Sequence, residues 1–395
     1  MGLTASALLS RHDVDNVVVE RRKDTVRAPA AHVLRPRTLA VFDRLGVGQR
    51  VREAAPLRDL DFITWCATLG GAEIGRLDTR TDPLDWTNCP QNLLEPILLR
   101  HVEQQPAARV LRGAEWTDLS QDAEGVRARV RLEDGGEETI EAHWLIAADG
   151  AGSPVRRHLD VPMLGDGSAM RMFMVHFEAD LRPFMQGRSG PLFWILNPEA
   201  PGTLIVHDPA RSIVFMTPCF GTEGSEKDEA ETVPARLEAA LGADVQPRIL
   251  SIDTWAMHVQ VAERYREGRV FLAGDAAHRF PPSGGLGLNT GIADAEFLVH
   301  QLARVERDGA PPACLEDYEK ECRPCAETNA HESFENLKRL GEISGVIGPC
   351  ATLAELDARL GSLSSDERAR LDRAVERQRS HFASHGRLPP DPRDL

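Results

Sequence analysis

One stretch constrains this chain more than any other: Val270-Phe-Leu-Ala-Gly-Asp-Ala-Ala-His-Arg-Phe-Pro-Pro-Ser-Gly-Gly-Leu-Gly-Leu-Asn-Thr-Gly-Ile-Ala-Asp-Ala295. Its opening, with Arg269, reads as a short strand buried on both faces, because the apolar run is unbroken and ends at Ala273. The strand hands on to Gly274 and Asp275. Pro281 and Pro282 then stiffen the chain. Gly284, Gly285 and Gly287 leave backbone amides bare ahead of a helix predicted to begin near Asn289. A helix N-terminus carries about half a positive charge. It can therefore bind an anion or stabilise a ring that gains negative charge. A loop that only connects two elements has no need of all these devices together.

The start of the chain holds half of a second nucleotide-binding device. Residues 3–12 fit a helix with Leu3, Ala7 and Leu8 on one face, and residues 16–20 fit a buried strand that closes on Glu20. Gly2 and Glu20 are placed like the last glycine and the ribose-binding acid of a dinucleotide-binding βαβ unit, although many α/β units share that spacing. The strand and two glycines that open such a unit do not precede Gly2. The expectation is a recorded start that is too late, the true one lying roughly ten to fifteen codons upstream. A further strand, 144–148, runs into Asp149-Gly-Ala-Gly-Ser-Pro-Val-Arg156. Asp149 could accept from ribose hydroxyls or cap the next helix, and the residues alone leave both open.

Elsewhere helices are predicted from Arg37 to Leu45 and from Gln91 to Val102, and a β-hairpin joins 126–132 to 139–142. From about 170 to 260 the pattern changes to strands separated by Pro- and Gly-rich turns. One helix, Val233–Leu241, interrupts them, with Thr232 as its cap and Pro234 in its first turn. Beyond Ile292 the chain is helical to about 384, with breaks near 309–312 and 346–349. The expected fold is therefore α/β: a discontinuous Rossmann-like nucleotide domain (1–75, 90–165 and 266–300), an inserted mainly-β domain (76–89 and 166–265), and a C-terminal helical region (301–395). A net charge of −15 argues against nucleic acid as a partner. No run approaches the ~20 apolar residues of a membrane span. Seven scattered cysteines and no signal peptide suggest reduced thiols in the cytoplasm. Cys322-Arg-Pro-Cys325 has redox or metal spacing, but without a second pair it reads as incidental helix thiols, and no metal site is expected.

Gly274-Asp275 with the Pro-Pro-Ser-Gly-Gly-Leu-Gly-Leu-Asn-Thr-Gly run resembles the single-component, FAD-dependent aromatic hydroxylases, the class A flavoprotein monooxygenases of the p-hydroxybenzoate hydroxylase fold. The likeness is greatest to the phenol and chlorophenol hydroxylases and the aromatic polyketide hydroxylases. It runs from Gly2 to about residue 335 and continues weakly through Ala374-Val-Glu-Arg-Gln-Arg-Ser-His-Phe382. The thioredoxin-like domain of the phenol hydroxylases has no counterpart in the sequence. The resemblance implies FAD lying extended, with Gly2, Glu20 and Arg21 at its adenosine end. Arg37 would follow the second strand, and Gln91 would lie over the flavin side. Asp149-Gly150 would form the motif shared by FAD and the pyridine nucleotide. Gly274-Asp275 would meet the ribityl chain, and the flavin ring would lie over Pro282, Gly285, Gly287, Leu288 and Asn289. It also implies reduction by NADPH or NADH, and a C4a-hydroperoxide that passes a hydroxyl to an electron-rich ring.

Substrate residues are less constrained. Phe193, Trp194, Phe215 and Trp255 lie on predicted strands of the insertion, where alternation turns some to the pocket and others to the sheet core. His258 and His278 are candidate bases for phenol deprotonation, or hydrogen-bonded structural histidines. The expected partners are a small aromatic substrate and molecular oxygen, in a monomer or homodimer. Two other readings remain open at this stage. One is a flavin-free homologue that binds a ligand or partner enzyme. The other is an epoxidase, halogenase or Baeyer–Villiger oxygenase, although a halogenase's Trp-bearing motif near the first helix is not seen.

Overall fold

The computed structural model describes residues 1–57, 61–80, 86–185, 187–221 and 229–394. Helix α1 (Gly2–Arg11) buries Thr4, Ala5, Ser6, Ala7 and Leu8. These small side chains let it lie close against α4 (Gln91–Glu103) and α7 (Leu286–Asp308). The turn after α1 is tied by Asn16. Its Oδ1 accepts from Ser6 Oγ at 2.5 Å, and its Nδ2 donates to Val14 O and Ala107 O. Asn16 opens strand β1 (Asn16–Glu20), which pairs in parallel with β6 (Ala108–Arg112). A second parallel pair joins β10 (Leu145–Ala147) to β17 (Val270–Leu272), with β16 (Arg266–Glu267) antiparallel on the far side of β17.

The three buried strands predicted for this layer divide. β17 is fully buried. β1 is half-buried at Asn16, Val18 and Val19 and exposed at Val17 (38%) and Glu20, and β10 is half-buried at Leu145 and Ile146. The reason is pairing. β17 has a partner on both edges, whereas β1 and β10 each have one among the described residues.

The predicted helices over 37–45 and 233–241 are α2 (Pro36–Arg44) and α6 (Val233–Leu241). Thr232 precedes α6 but does not cap it. Its backbone is already helical, and its hydroxyl donates to Glu229 O at 2.7 Å. Helix α3 (Gly48–Ala54) follows α2, and strands β2 (Val33–Leu34) and β5 (Thr87–Asn88) pair as a small ribbon. The predicted hairpin is β8 (Val126–Arg131) with β9 (Glu137–Ala142), and β7 (Glu115–Gln121) extends it. A short helix, α5 (Pro154–His158), follows the Asp149-Gly150 turn.

The second layer is an eight-stranded sheet in the order β18-β15-β11-β14-β13-β12-β3-β4. Its members are β3 (Phe62–Cys66), β4 (Glu73–Asp78), β11 (Met163–Glu178), β12 (Leu192–Ile195), β13 (Gly202–Asp208), β14 (Ser212–Pro218), β15 (Arg248–Ala262) and β18 (His278–Arg279). Only β12 and β3 run parallel; the other neighbours are antiparallel. The boundary expected at residue 75 thus falls inside β4, and the sheet begins with β3. One face carries Phe173, Val175, Phe177, Leu204 and Val206 beneath α6. At the β3 end the opposite face, with Ile63 and Trp65, is covered by the C-terminal helices α9 (Gly341–Ile347), α10 (Leu353–Gly361) and α11 (Ser365–Arg377).

Helix α7 starts at Leu286, three residues ahead of the predicted Asn289, because Gly285 takes a left-handed conformation (φ 64°) and turns the chain there. The expected boundary at 300/301 falls inside this helix. Helix α8 (Glu316–Arg339) buries Cys322 and Cys325 as free thiols, and no metal-binding cluster occurs among the described residues.

Candidate active site

Open α/β layers bind ligands beyond the carboxyl ends of their parallel strands. Three carboxylates stand there: Glu20 ends β1, Asp149 follows β10, and Asp275 follows β17. Asp275 is exposed, yet Val270–Gly274 before it and Ala276–His278 after it are all buried. A charged side chain left open in an otherwise buried turn has no packing role there and is free to meet a ligand. Gly274 holds this turn at φ 59°. Burial lowers the pKa of the α-amino group at the head of α1, while the carboxylates of Glu95, Asp275 and Glu20 act in the opposite sense. Glu20, Asp275 and Glu95 therefore lie near the N-terminus of α1. Gly2 is half-buried there, and a Cβ on it would lie 3.9 Å from Ala148. Arg21 is exposed.

Asp149 serves the cap reading. Its Oδ2 accepts from Val155 N at 3.1 Å, while Ser153 caps α5 by accepting from Arg156 N. Gly150 sits at φ 84° with no atom within 4 Å of where a Cβ would be, so the turn opens onto free space. Gln91 begins α4 and donates to Glu95 Oε1 at 2.5 Å, and Glu95 Oε2 accepts from Val26 N at 3.0 Å. Open space at Gly150, an exposed Asp275 and an acid at the end of β1 fit the diol and backbone contacts that FAD requires.

Two assignments to the cofactor change. Arg37 points away from the cleft: it donates to Glu296 Oε2 at 3.1 Å and to the carbonyls of Pro389 and Pro390, and Glu296 also pairs with Arg44. The tail thus competes for the guanidinium. Asn289 is 2% exposed and fully engaged. Its Oδ1 accepts from Arg35 N at 2.9 Å and Thr38 Oγ1 at 2.7 Å, and its Nδ2 donates to Val33 O at 2.8 Å and Gly285 O at 2.7 Å. Asn289 holds the glycine loop against β2. Arg35 reinforces that clamp by donating to Gly284 O and Phe382 O, both at 2.8 Å. Pro282 is exposed at the loop tip, Gly287 and Leu288 are half-buried, and a Cβ on Gly285 would meet Val33 at 2.8 Å.

His278 is structural. Its Nε2 lies 2.7 Å from Asp294 Oδ2 with both side chains buried, and its ring stacks on Phe280. His258 is half-buried with Nδ1 lacking a partner among the described residues, and burial and Arg279 lower its pKa. Phe193 and Phe215 lie in the core under α6, so alternation sends them away from the cleft. Trp194 packs with the C-terminal helices, while Trp255 is half-buried opposite Met172, and its Nε1 has no partner among the described residues.

Sequence reasoning missed Arg279, one residue beyond His278. Its Nε has no partner among the described residues, and burial beside Arg156 and Arg157 lowers its pKa against the pull of Asp275. It missed His32, Trp86 and His207 as well. Only His207 left a trace, as a polar residue at the end of the apolar run Leu204-Ile-Val206.

The family model described as FAD binding domain matches residues 1–333. The 2,4-dichlorophenol 6-monooxygenase of Cupriavidus pinatubonensis is 31% identical across 98% of this chain and 69% of its own length. A putative polyketide hydroxylase of Streptomyces halstedii is 34% identical, and the match takes in 83% of this chain and 61% of that protein. The chain thus spans between three-fifths and seven-tenths of these two relatives. Among solved structures, the flavin-dependent monooxygenase PieE in complex with FAD and substrate superposes with a TM-score of 0.90 at 29% identity, covering 97% of this chain and 71% of that one. Aklavinone-11 hydroxylase with FAD and aklavinone gives a TM-score of 0.76 at 31% identity over 84% of this chain and 66% of that one. The chain belongs to the FAD binding domain family, among its flavoprotein monooxygenases.

Proposed function

We propose that the chain hydroxylates an aromatic compound, phenolic or polyketide-type, with bound FAD, NADPH or NADH as reductant and molecular oxygen as oxidant. The observation that carries this reading is the exposed Asp275 in its buried turn, with Glu20 and Asp149 at the carboxyl ends of two further parallel strands. Glu20 accepts from the adenosine ribose, and Asp275 accepts from the ribityl hydroxyls. The N-terminus of α7, fixed by Gly285 and Asn289, turns its positive end to the ring and favours negative charge there. Once reduced, FAD supplies the oxygen activation that no side chain can. The β15–β11 side of the large sheet, with Trp255 and Met172, roofs the substrate and keeps water out.

The purified chain is titrated with FAD, then supplied with NAD(P)H and a panel of phenols and polycyclic aromatics. Aromatic-stimulated NAD(P)H oxidation, with one atom of labelled O2 entering the ring as a hydroxyl, is the expected result. Bound flavin with no stimulation by any aromatic would refute it. Oxygen inserted as an epoxide or ester would transfer the reading to those reactions.

A further inference from the structure

The junction between the nucleotide layer and the large sheet carries a polar cluster with no role so far. His32 precedes β2, Trp86 precedes β5, Asn88 ends β5, and His207 lies on β13. Trp86, Asn88 and His207 are buried, and His32 is half-buried. The His32 ring stands 5.0 Å from that of His207 and 6.2 Å from that of Trp86, edge to face in both cases. Asn88 Nδ2 donates to Val206 O at 3.3 Å, which leaves its Oδ1 to accept from His32 Nδ1 at 2.9 Å. His32 therefore carries its proton on Nδ1 and presents a bare lone pair at Nε2. His207 Nδ1 and Trp86 Nε1 are buried with no partner among the described residues. Polar atoms left unmatched in this way call for a further partner.

The cluster touches both sides of the cleft. Val33, next to His32, is the residue that meets Gly285 and accepts from Asn289 Nδ2. On β13, Leu204 and Val206 face α6, whereas His207 sits where β13 bulges against β14, and its ring contact with His32 places it towards β2. We propose that His32, Trp86 and His207 form the polar end of the aromatic pocket and select a ring carrying two adjacent oxygen functions, a hydroxyl and a neighbouring hydroxyl or carbonyl. The hydroxyl donates to His32 Nε2. The second oxygen accepts from Trp86 Nε1–H, and His207 Nδ1 meets either. Burial holds His32 at a pKa of about 4 and His207 well below its usual value, and the other groups felt by His207 are the imidazoles of His32 and His176. The cluster is thus uncharged at neutral pH and offers nothing to a carboxylate. This selection rests on the aromatic-hydroxylase reading.

The test is calorimetric binding of catechol and of 2-methylphenol, which replaces one hydroxyl by a methyl group, to the full chain. One hydrogen bond is worth roughly 3- to 10-fold in affinity, so catechol binds tighter than 2-methylphenol by that factor. In Trp86→Phe the preference disappears, and in His207→Phe it falls, with unfolding midpoints checking that each variant folds. Should one variant fail to fold, the other still decides. Equal binding of the two ligands by the native chain overturns the proposal, as does an undiminished preference in a folded variant. Tight, discriminating binding without turnover would sink the hydroxylase reading and leave the site standing. Turnover without discrimination would do the reverse.

Discussion

Asn289→Leu separates two roles for one side chain. Leucine is close in volume, so the substitution removes hydrogen bonds with little change in packing. The Thr38 hydroxyl can rotate to another acceptor, and Gly285 O lies one helical turn before residue 289 and keeps its backbone partner. The Arg35 N–H and the Val33 carbonyl are the other two groups that Asn289 holds. Both lose that partner, Arg35 in a buried setting and Val33 in a half-buried one. At about 1–3 kcal/mol for each group that loses its Asn289 hydrogen bond, the cost is about 4 kcal/mol. Unfolding a chain of this length carries an entropy of roughly 0.8 kcal/mol/K, so Tm should fall by about 5 °C. The assay is calorimetry of the flavin-free chain, with guanidinium unfolding as a check. If Asn289 instead offered its amide to the cofactor, the variant would lose FAD affinity while its flavin-free Tm stayed put. A flavin-free Tm within a degree of the parent refutes the clamp.

Asp275→Ala removes an exposed carboxylate, so the flavin-free Tm should hold while FAD binding, followed by flavin fluorescence, weakens about 10- to 100-fold through the loss of charge-assisted hydrogen bonds. Glu296→Gln strips the shared partner from Arg37 and Arg44, which are themselves partly exposed; the loss in urea unfolding should be about 2 kcal/mol, and a double variant with Arg37→Met should recover part of it. Burial lowers the pKa of His32 to about 4 and of His381 to about 3 from a usual 6.5. Each is neutral in the folded chain and takes up a proton on unfolding once the pH is below 6.5. The stability they support is complete above pH 6.5 and drains away as the pH falls towards 4 and 3. His381→Phe should flatten the dependence of unfolding free energy on pH between 6 and 4, and an unchanged slope would count against burial as the cause.

The motif-bearing parts were legible because their physics is local. An apolar run ending in Gly274-Asp275 makes a buried strand and a turn wherever it occurs, and Gly46 and Gly309 end their helices by the left-handed turn that glycine favours. Long-range choices were not legible. Nothing local tells that β3 pairs with β12 rather than with the nucleotide layer, since that pairing joins residues more than a hundred positions apart. Whether Phe193 or Trp194 faces the cleft depends on which side of the sheet α6 covers. Arg37 and His278 carried the right motif positions, but Glu296 and Asp294, one helix away, decided where they point.

The segment Met163–Ala262 contributes five strands to the large sheet, and its two end residues are partners across β11 and β15. Entry and exit are thus neighbours, like the two ends of a looped cable led through one gland. A segment bounded by that pair can be exchanged between homologues without stretching either junction. The exchange is incomplete by itself, because β3 and β4 reach the far edge from a separate part of the chain and pair with β12 from outside the loop. Chimeras that carry residues 62–78 together with 163–262 keep every seam of the sheet inside one parent except that of β15 with β18. That single seam lies three residues past Asp275, so the fidelity with which a transplanted sheet meets its host is set within one turn of that carboxylate.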